Sequence, residues 1–538
     1  MSNRDAPPRE GFRALAARAI SAALFLPLAT STASAQRNAP LPPPCTFGGS
    51  ANVAVRRPYV GLPTLDVMWF STLDEGSSPG VFGDGFRQAL ARRLSGAVFR
   101  IGVIEDVVHR SATTGDAATV LSLATRAGAK FALAGVPSVG SNSTLRVTLA
   151  LFELPHRNPV WRRSFPYDSA GTLALEQAIA IEVATKILGK LTPKERQLLA
   201  RVPTQRGDAY DAMLRGDAAE LSDASDTAAV AYEEALKLDP RLADAQAKLA
   251  LANAELYQNG NEPRGAFARL VRQARAAADQ ALALDPSSPI AWLAEARVRM
   301  AEGKPQQEWR RAFEHALTLD PRNAAVLEAY GLAMTTTDDR AAARSLLQRV
   351  SAVSSGRAAT STALAELALA EGRDAEACAY LNDAINNNPL YPPAWSLRGV
   401  LRARHRDLRY AWADAETATR LGNGFLGESG SAIIDLIARD TTRARERLTD
   451  LWQMVRNEGT VNARDGHAVA AALIALGDLP KALDVLESVH PRGPWYAAAL
   501  RDPVFDKARG IARFRALIMP DSGPPTRAKA QSRSRTTP

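Results

Sequence analysis

Residues Ala358–Tyr391, AATSTALAELALAEGRDAEACAYLNDAINNNPLY, decide the fold. Two helical patterns flank a short break at Glu371-Gly372-Arg373. Leu364, Ala365, Leu367 and Ala368 give the first an apolar stripe, and Ala377, Leu381, Ala384 and Ile385 give the second one. Asn388-Pro389 ends the unit, because proline lacks the backbone donor and clashes with a continuing turn. One such pair of helices cannot bury its apolar face and needs neighbours.

Neighbours follow the same punctuation. Pro240, Pro286, Pro321 and Pro389 each close a helical run that ends in Asp or Asn, at separations of 46, 35 and 68 residues. These are one unit with an insertion, one unit, and two units of a repeat of about 34 residues. Small residues, one bulky residue and the proline recur in phase: Ala365, Ala377, Leu381, Ala384, Pro389; Gly216, Ala228, Tyr232, Ala235, Pro240; Ala250, Ala274, Ala278, Ala281, Pro286, with an insertion around Tyr257–Phe267. After Pro389 come Trp395, Gly399, Ala411 and Ala418, with Asn423 in the proline place. This pattern resembles the tetratricopeptide repeat. Counted from Ala209 it predicts about eight repeats over 209–496, degenerate between Leu426 and Asn462 and back in phase at Ala470, Ala482, Leu486 and Pro494. One further helical segment over 497–518 is expected to cap the last repeat, ahead of a disordered basic tail over 519–538.

The 538 residues are 46% hydrophobic and 23% charged, a globular composition with net charge +9. Much of that charge lies outside the body. Arg4, Arg9, Arg13 and Arg18 against Asp5 and Glu10 leave +2, and Arg527, Lys529, Arg533 and Arg535 against Asp521 leave +3. The remaining +4 is too little to argue for nucleic acid, and no nucleic-acid partner is expected. Arg9, Arg13 and Arg18 precede the short apolar core Ala19–Ala29, and Ala33-Ser34-Ala35 matches a small-x-small cleavage pattern. Residues 1–35 are therefore read as a secretory signal, with the mature chain in the periplasm or secreted; membrane anchoring by an uncleaved segment is the alternative. Pro27 interrupts the apolar run, and no other stretch is long enough to span a bilayer. Residues 36–58 read as an exposed proline-rich linker. The two cysteines, Cys45 and Cys378, do not make a disulfide framework. An exported chain permits one bridge, but Cys378 sits inside a repeat helix and reads as a buried free thiol.

Between linker and repeats the expected order is β-α-β-α-β-β-β-α, a small mixed sheet with helices on it. Its pieces are strands at Thr64–Ser71, Val98–Val103, Phe131–Val136, Leu145–Leu154 and Val160–Phe165, and helices at Gly85–Ser95, Asp116–Ala127 and Thr172–Leu188, with a hairpin turn at Gly140–Ser143. Asp84-Gly85-Phe86, the run Gly128–Gly135, Leu145-Arg146-Val147-Thr148, Phe152-Glu153-Leu154 and Val160-Trp161 resemble, in that order, the amino-terminal domain of the translocation protein TolB. The junction residues Leu191–Arg196, Ala209-Tyr210-Asp211 and Leu214-Arg215-Gly216 look like the same family. The first strand departs from it, with Met68-Trp69-Phe70 where relatives carry Pro-Phe. The resemblance implies a TolB-like α/β domain over 59–200 ahead of the all-α repeat solenoid.

Chemistry has little support. Gly76-Ser77-Ser78-Pro79-Gly80 matches the G-x-S-x-G pattern of hydrolases, but Pro79 follows the serine and has no N–H for an oxyanion. Gly80, Gly83 and Gly85 do not have phosphate-loop spacing, and no Lys-Ser/Thr follows. The six histidines have no ligand-spaced partner, so no metal or cofactor is expected. The basic cluster Arg157, Arg162 and Arg163 reads as a solvated strand edge, and Trp292 and Trp395 as packing between helices. The sequence thus predicts a non-enzymatic, exported scaffold with a protein or peptide partner in a concave groove. The rivals are an intracellular signalling subunit working beside a kinase, cyclase or transcription factor, and a hydrolase using the Gly76–Gly80 loop. Carrying over the groove positions of the tetratricopeptide family gives Ile290, Leu293, Arg297 and Met300, then Glu328 and Leu332, then Glu366 and Leu369: an apolar set with isolated charges.

Overall fold

The computed structural model describes residues 43–46, 62–70, 84–98, 102–104, most of 129–166 and 172–518 with short internal gaps, together with 121 and 124–125. Its first part is a five-stranded mixed sheet in the order β2-β1-β3-β4-β5. β1 (Thr64–Phe70) lies parallel to β2 (Gly102–Ile104) and β3 (Phe131–Val139), and β3, β4 (Leu145–Glu153) and β5 (Pro159–Pro166) are antiparallel in turn. Alternation sets the two faces. Leu65, Val67, Leu133, Val147, Leu149 and Leu151 pack under α1 (Asp84–Ala97) and α2 (Thr172–Leu188), while Ala132 and Phe152 meet Leu121, Ala124 and Ala129 on the other face. β5 is the edge strand and is largely exposed; its Arg163 pairs with Glu182 and lies over the Phe165 ring.

The sheet is locked to the helices that follow. α3 (Pro193–Leu199) starts with a reciprocal cap between Thr192 and Glu195, so Leu191–Arg196 is a helix-start device. Arg93 of α1 bonds Glu176 and the carbonyls of Leu199 and Arg201, and Tyr210 of α4 (Gly207–Glu220) donates to the same Glu176. Gly85 lies so close to the Leu214 carbonyl that a side chain there would strike it.

From α4 the chain runs as successive helix pairs: α4 with α5 (Ser225–Leu238), α6 (Ala243–Asn259) with α7 (Phe267–Leu284), α8 (Pro289–Ala301) with α9 (Gln306–Leu319), and α10 (Ala324–Thr335) with α11 (Arg340–Val353). There follow α12 (Ala358–Ala370) with α13 (Asp374–Asn387), α14 (Pro392–Arg404) with α15 (Leu408–Leu421), α16 (Phe425–Ala438) with α17 (Thr441–Glu458), and α18 (Ala463–Ala475) with α19 (Leu479–Ser488). The first helix of each pair, from α6 to α18, also touches the first helix of the next, so the pairs stack. Small residues permit the contact within a pair: a Cβ on Gly399 would sit 2.9 Å from the Ala411 carbonyl.

The Asp/Asn-Pro signature has a structural cause. Asp239, Asp285, Asp320 and Asn388 end the second helices, and each side chain accepts the backbone N–H two residues on, at 3.0, 3.0, 3.1 and 3.0 Å. The side chain makes the turn and the proline stops the helix. Trp292 and Trp395 then donate back to the Pro286 and Pro389 carbonyls at 2.9 and 2.8 Å. First helices end in a left-handed residue at one repeat position: Gly303, Gly372, Arg406, Arg439 and Gly477, with φ of 69, 73, 65, 69 and 82°. The next residue's N–H bonds back to a carbonyl five residues earlier, at 2.9 to 3.0 Å in all five turns.

Two expectations need correction, the strand at Val98 and the single capping helix, and two others gain detail. Val98 is not in a strand, and β2 starts at Gly102, because Val98 instead donates to the Leu94 carbonyl and closes α1. The insertion around Tyr257–Phe267 lengthens α6 and α7 to 17 and 18 residues, with Tyr257 against Phe267. The segment between Leu426 and Asn462 keeps a regular pair, α16 and α17. The expected capping helix is broken: a short 3-10 turn at Pro503–Phe505 precedes α20 (Ala512–Ile518), and Phe505 and Phe514 pack together there, with His467 edge-on to Phe505. The signal segment 1–35, the Gly76–Gly80 loop, the hairpin turn 140–143, most of the Asp116–Ala127 helix and the tail 519–538 lie outside the described residues.

Arg406 and Arg439 carry a backbone strain that glycine would not. Arg439 is exposed. Arg439→Gly should therefore raise stability by about 0.5–1 kcal/mol. Chemical denaturation of the variant checks this; a lower midpoint at unchanged slope would contradict it.

Candidate functional site

Residues 43–46, read as part of an exposed linker, are anchored to the repeats. They lie across the fifth and sixth helix pairs, and Cys45 is 5% exposed while Pro43, Pro44 and Thr46 face solvent. Cys45 is bonded to Cys378 of α13 as a disulfide, with Cα atoms 6.0 Å apart, so the free thiol expected for Cys378 is a half-cystine. The correction has a plain cause: repeat position alone could not show that Cys378 points toward a distant segment.

The segment's main chain is read from three sides. Asn382, one turn after Cys378, accepts the Cys45 N–H at 3.1 Å and donates to the Cys45 carbonyl at 2.9 Å. A side-chain amide thus imitates a neighbouring strand. Arg402 of α14 donates to the Pro43 carbonyl. Arg398, one turn earlier, bonds Asn382 Oδ1 at 3.1 Å and fixes the amide's orientation. Arg398 also grips Asp414 of α15 through two bonds of 2.9 and 2.8 Å and lies over Trp395. Arg402 stands 3.3 Å from Asp414 and over Tyr410. Arg398, Arg402 and Asp414 are all essentially buried.

Arg398 and Arg402 share the buried Asp414, and Arg402 also stands 4.0 Å from Asp407. Burial pushes the Arg402 pKa down, against the attraction of Asp414, and pushes the Asp414 carboxyl up, against Arg398 and Arg402. Arg402 Nη1 is buried and has no hydrogen-bond partner among the described residues. This site was not anticipated from the residues. Its legible signal was a buried-helix pattern carrying Arg398 and Arg402 one turn apart, with both cysteines in a chain read as exported.

The eight groove candidates fall in three settings. Leu293 is buried and Ile290, Arg297 and Met300 are half-buried, on α8. Arg297 faces Glu255; burial lowers its pKa and Glu255 opposes that. On α10, Leu332 is half-buried, and Glu328 accepts Thr360 at 2.6 Å and pairs with Arg357. On α12, Glu366 and Leu369 are 2% and 5% exposed. Arg297 and Glu328, anticipated as isolated charges, are thus engaged between helix pairs. Other polar links join pairs in the same way, Arg275 with Glu295 and Glu302 and Arg344 with Glu371 and Glu376, whereas Arg447 joins Glu428 and Asp435 within one pair.

A second charged cluster lies where α1 meets the first pairs. Buried Asp217 pairs with Arg92 and with Lys248 at 2.5 Å, and accepts Tyr232 at 2.9 Å. Burial pushes its carboxyl up, but Arg92 and Lys248 prevail and its pKa is lowered. Glu220, one turn on, has no such surplus of cations. Burial first, then the charges of Asp217 and Glu255, raise it to about 8, against Lys248 and Arg92.

Among the described residues no group of three or more His, Cys, Asp or Glu is placed to hold a metal ion, and no helix is long and apolar enough to cross a membrane. No family model and no curated protein matches the sequence. Solved structures do. A structure of pilF from Pseudomonas aeruginosa is 22% identical, with a TM-score of 0.33, over 40% of this chain and 92% of that one. A thermophilic TPR protein of Thermus thermophilus is 22% identical with a TM-score of 0.30, over 38% of this chain and 98% of that one. Yeast Tom70 is 16% identical with a TM-score of 0.35, over 65% of this chain and 79% of that one.

The Glu220 environment sets a pH dependence. Its folded pKa is about 8 against an ordinary 4.5, so the folded state holds a proton that the unfolded state has lost between those values. The stability it contributes is present at low pH and is lost as pH rises from about 4.5 to about 8. Glu220→Gln should flatten the pH dependence of the melting temperature in that window. An unchanged slope would show that Glu220 is ionised in the fold.

Proposed function

We propose that the chain is an exported, non-enzymatic tetratricopeptide scaffold that holds protein or peptide partners in the cell envelope, with a TolB-like domain at its amino end. The carrying observation is the binding of residues 43–46: side chains of the stacked helices hold an extended peptide by its main chain. A surface built this way reads peptides rather than transforming them. The small-residue phase, the Asx-Pro turns and the touching first helices support a tetratricopeptide solenoid over 209–496. The β-α-β-β-β-β-α order of the described elements and the locked junction at Thr192 and Tyr210 support the TolB-like reading of 59–200.

The Cys45–Cys378 bridge supports export, because such bonds persist in oxidising compartments and are reduced in the cytosol. It agrees with removal of residues 1–35. Of the groove candidates, Ile290, Arg297, Met300, Glu328 and Leu332 keep some exposure and remain the proposed partner-facing set, whereas Leu293, Glu366 and Leu369 are buried.

Cell fractionation with amino-terminal sequencing tests this reading. The chain should be found in the envelope or outside the cell, and its first residue should be near Gln36. A cytosolic chain that retains Met1 would overturn it.

A further inference from the structure

We infer that the surface formed by α13 and α14, backed by Asp414 of α15, is a binding site for an extended acidic peptide, and that residues 43–46 are its internal occupant, latched by Cys45–Cys378. The inference rests on the scaffold reading and names a site and a control for it. Three observations point to it. The contacts to residues 43–46 are to backbone N–H and C=O groups, so they suit any extended chain with a small residue facing Cys378. The receiving groups are held before the peptide arrives: Asn382 by Arg398, and Arg398 and Arg402 by Asp414. The occupant leaves the site incomplete, because the buried Arg402 Nη1 donor has no hydrogen-bond partner among the described residues. A peptide that brings a carboxylate to Arg402 makes one contact more than residues 43–46 do.

The latch decides which occupant wins. While the disulfide stands, the segment cannot leave. A dithiol reductant opens it: one thiolate attacks a sulfur of the bridge, the other sulfur departs and takes a proton, and the second thiol of the reductant resolves the mixed disulfide. The chain gains two thiols, and the reductant becomes a disulfide. The freed segment still competes at about millimolar effective concentration through its tether, so the partner has to be held by the extra ionic contact.

The test uses the full chain carrying Cys45→Ser, which leaves Cys378 as a free thiol. The probes are synthetic peptides of residues 41–48 with the cysteine activated as a mixed disulfide with thionitrobenzoate. One has the natural sequence, one carries Pro43→Asp, and one has the residues of the second in scrambled order. Labelling of Cys378 is followed by released chromophore and by mass. We expect the Pro43→Asp peptide to label at least tenfold faster than its scrambled form, and faster than the natural peptide. Adding Asn382→Asp, which keeps the side-chain shape and removes the donor, should abolish the preference while circular dichroism stays helical. Equal rates for all three peptides, or no labelling by any of them, would overturn the inference. A natural peptide that outruns the Pro43→Asp peptide would overturn the acidic specificity while leaving the scaffold reading standing, whose own test is localisation.

Discussion

Each helix pair in this chain leaves an apolar face that only the next pair can cover, and the architecture depends on that constraint. α12 shows it best. From Thr360 to Leu369 every residue is buried, polar ones included, because α12 is covered on all sides. A helix hydrophobic or buried all round is stable only inside a stack. The small residues at the pair contacts follow from the same need, since helices that approach this closely leave no room for a Cβ at Gly399 or Gly216. The repeated left-handed turns follow too, for each first helix has to reverse sharply to lay its partner alongside.

The stack has two ends, and the sequence treats them differently. At the amino end the sheet domain is bolted on through Arg93, Glu176, Tyr210 and the close approach of Gly85. At the carboxyl end, Phe505 and Phe514 cover α18 and α19 with a turn and a short helix, and Arg513 pairs with Asp484 and Glu487. In the middle, the segment around Cys45 crosses helices more than three hundred residues away in sequence. That link closes a loop of 333 residues and restrains the unfolded chain strongly.

Most of the fold was legible because its signals are local and periodic. Pro240, Pro286, Pro321 and Pro389 mark turns whose chemistry lies within three residues, and the small positions repeat in phase. The long helix over Thr172–Leu188 was legible for the same reason. What was not legible depended on distance. Nothing near Cys378 reveals that Cys45 reaches it, so the free-thiol reading failed. Nothing near Arg297 or Glu328 reveals their partners Glu255, Arg357 and Thr360, so charges that join helix pairs looked isolated. Phe505 and Phe514 read as one amphipathic run, although tertiary packing bends the chain between them.

The segment around Cys45 is held across the helix stack at Cys378 by a covalent bond. Non-reducing peptide mapping tests it most directly. Protein purified with thiols blocked at lysis, then digested without reductant, should yield one cross-linked species joining the peptides of Cys45 and Cys378. Recovery of both cysteines as separately alkylated peptides from the folded chain would contradict it.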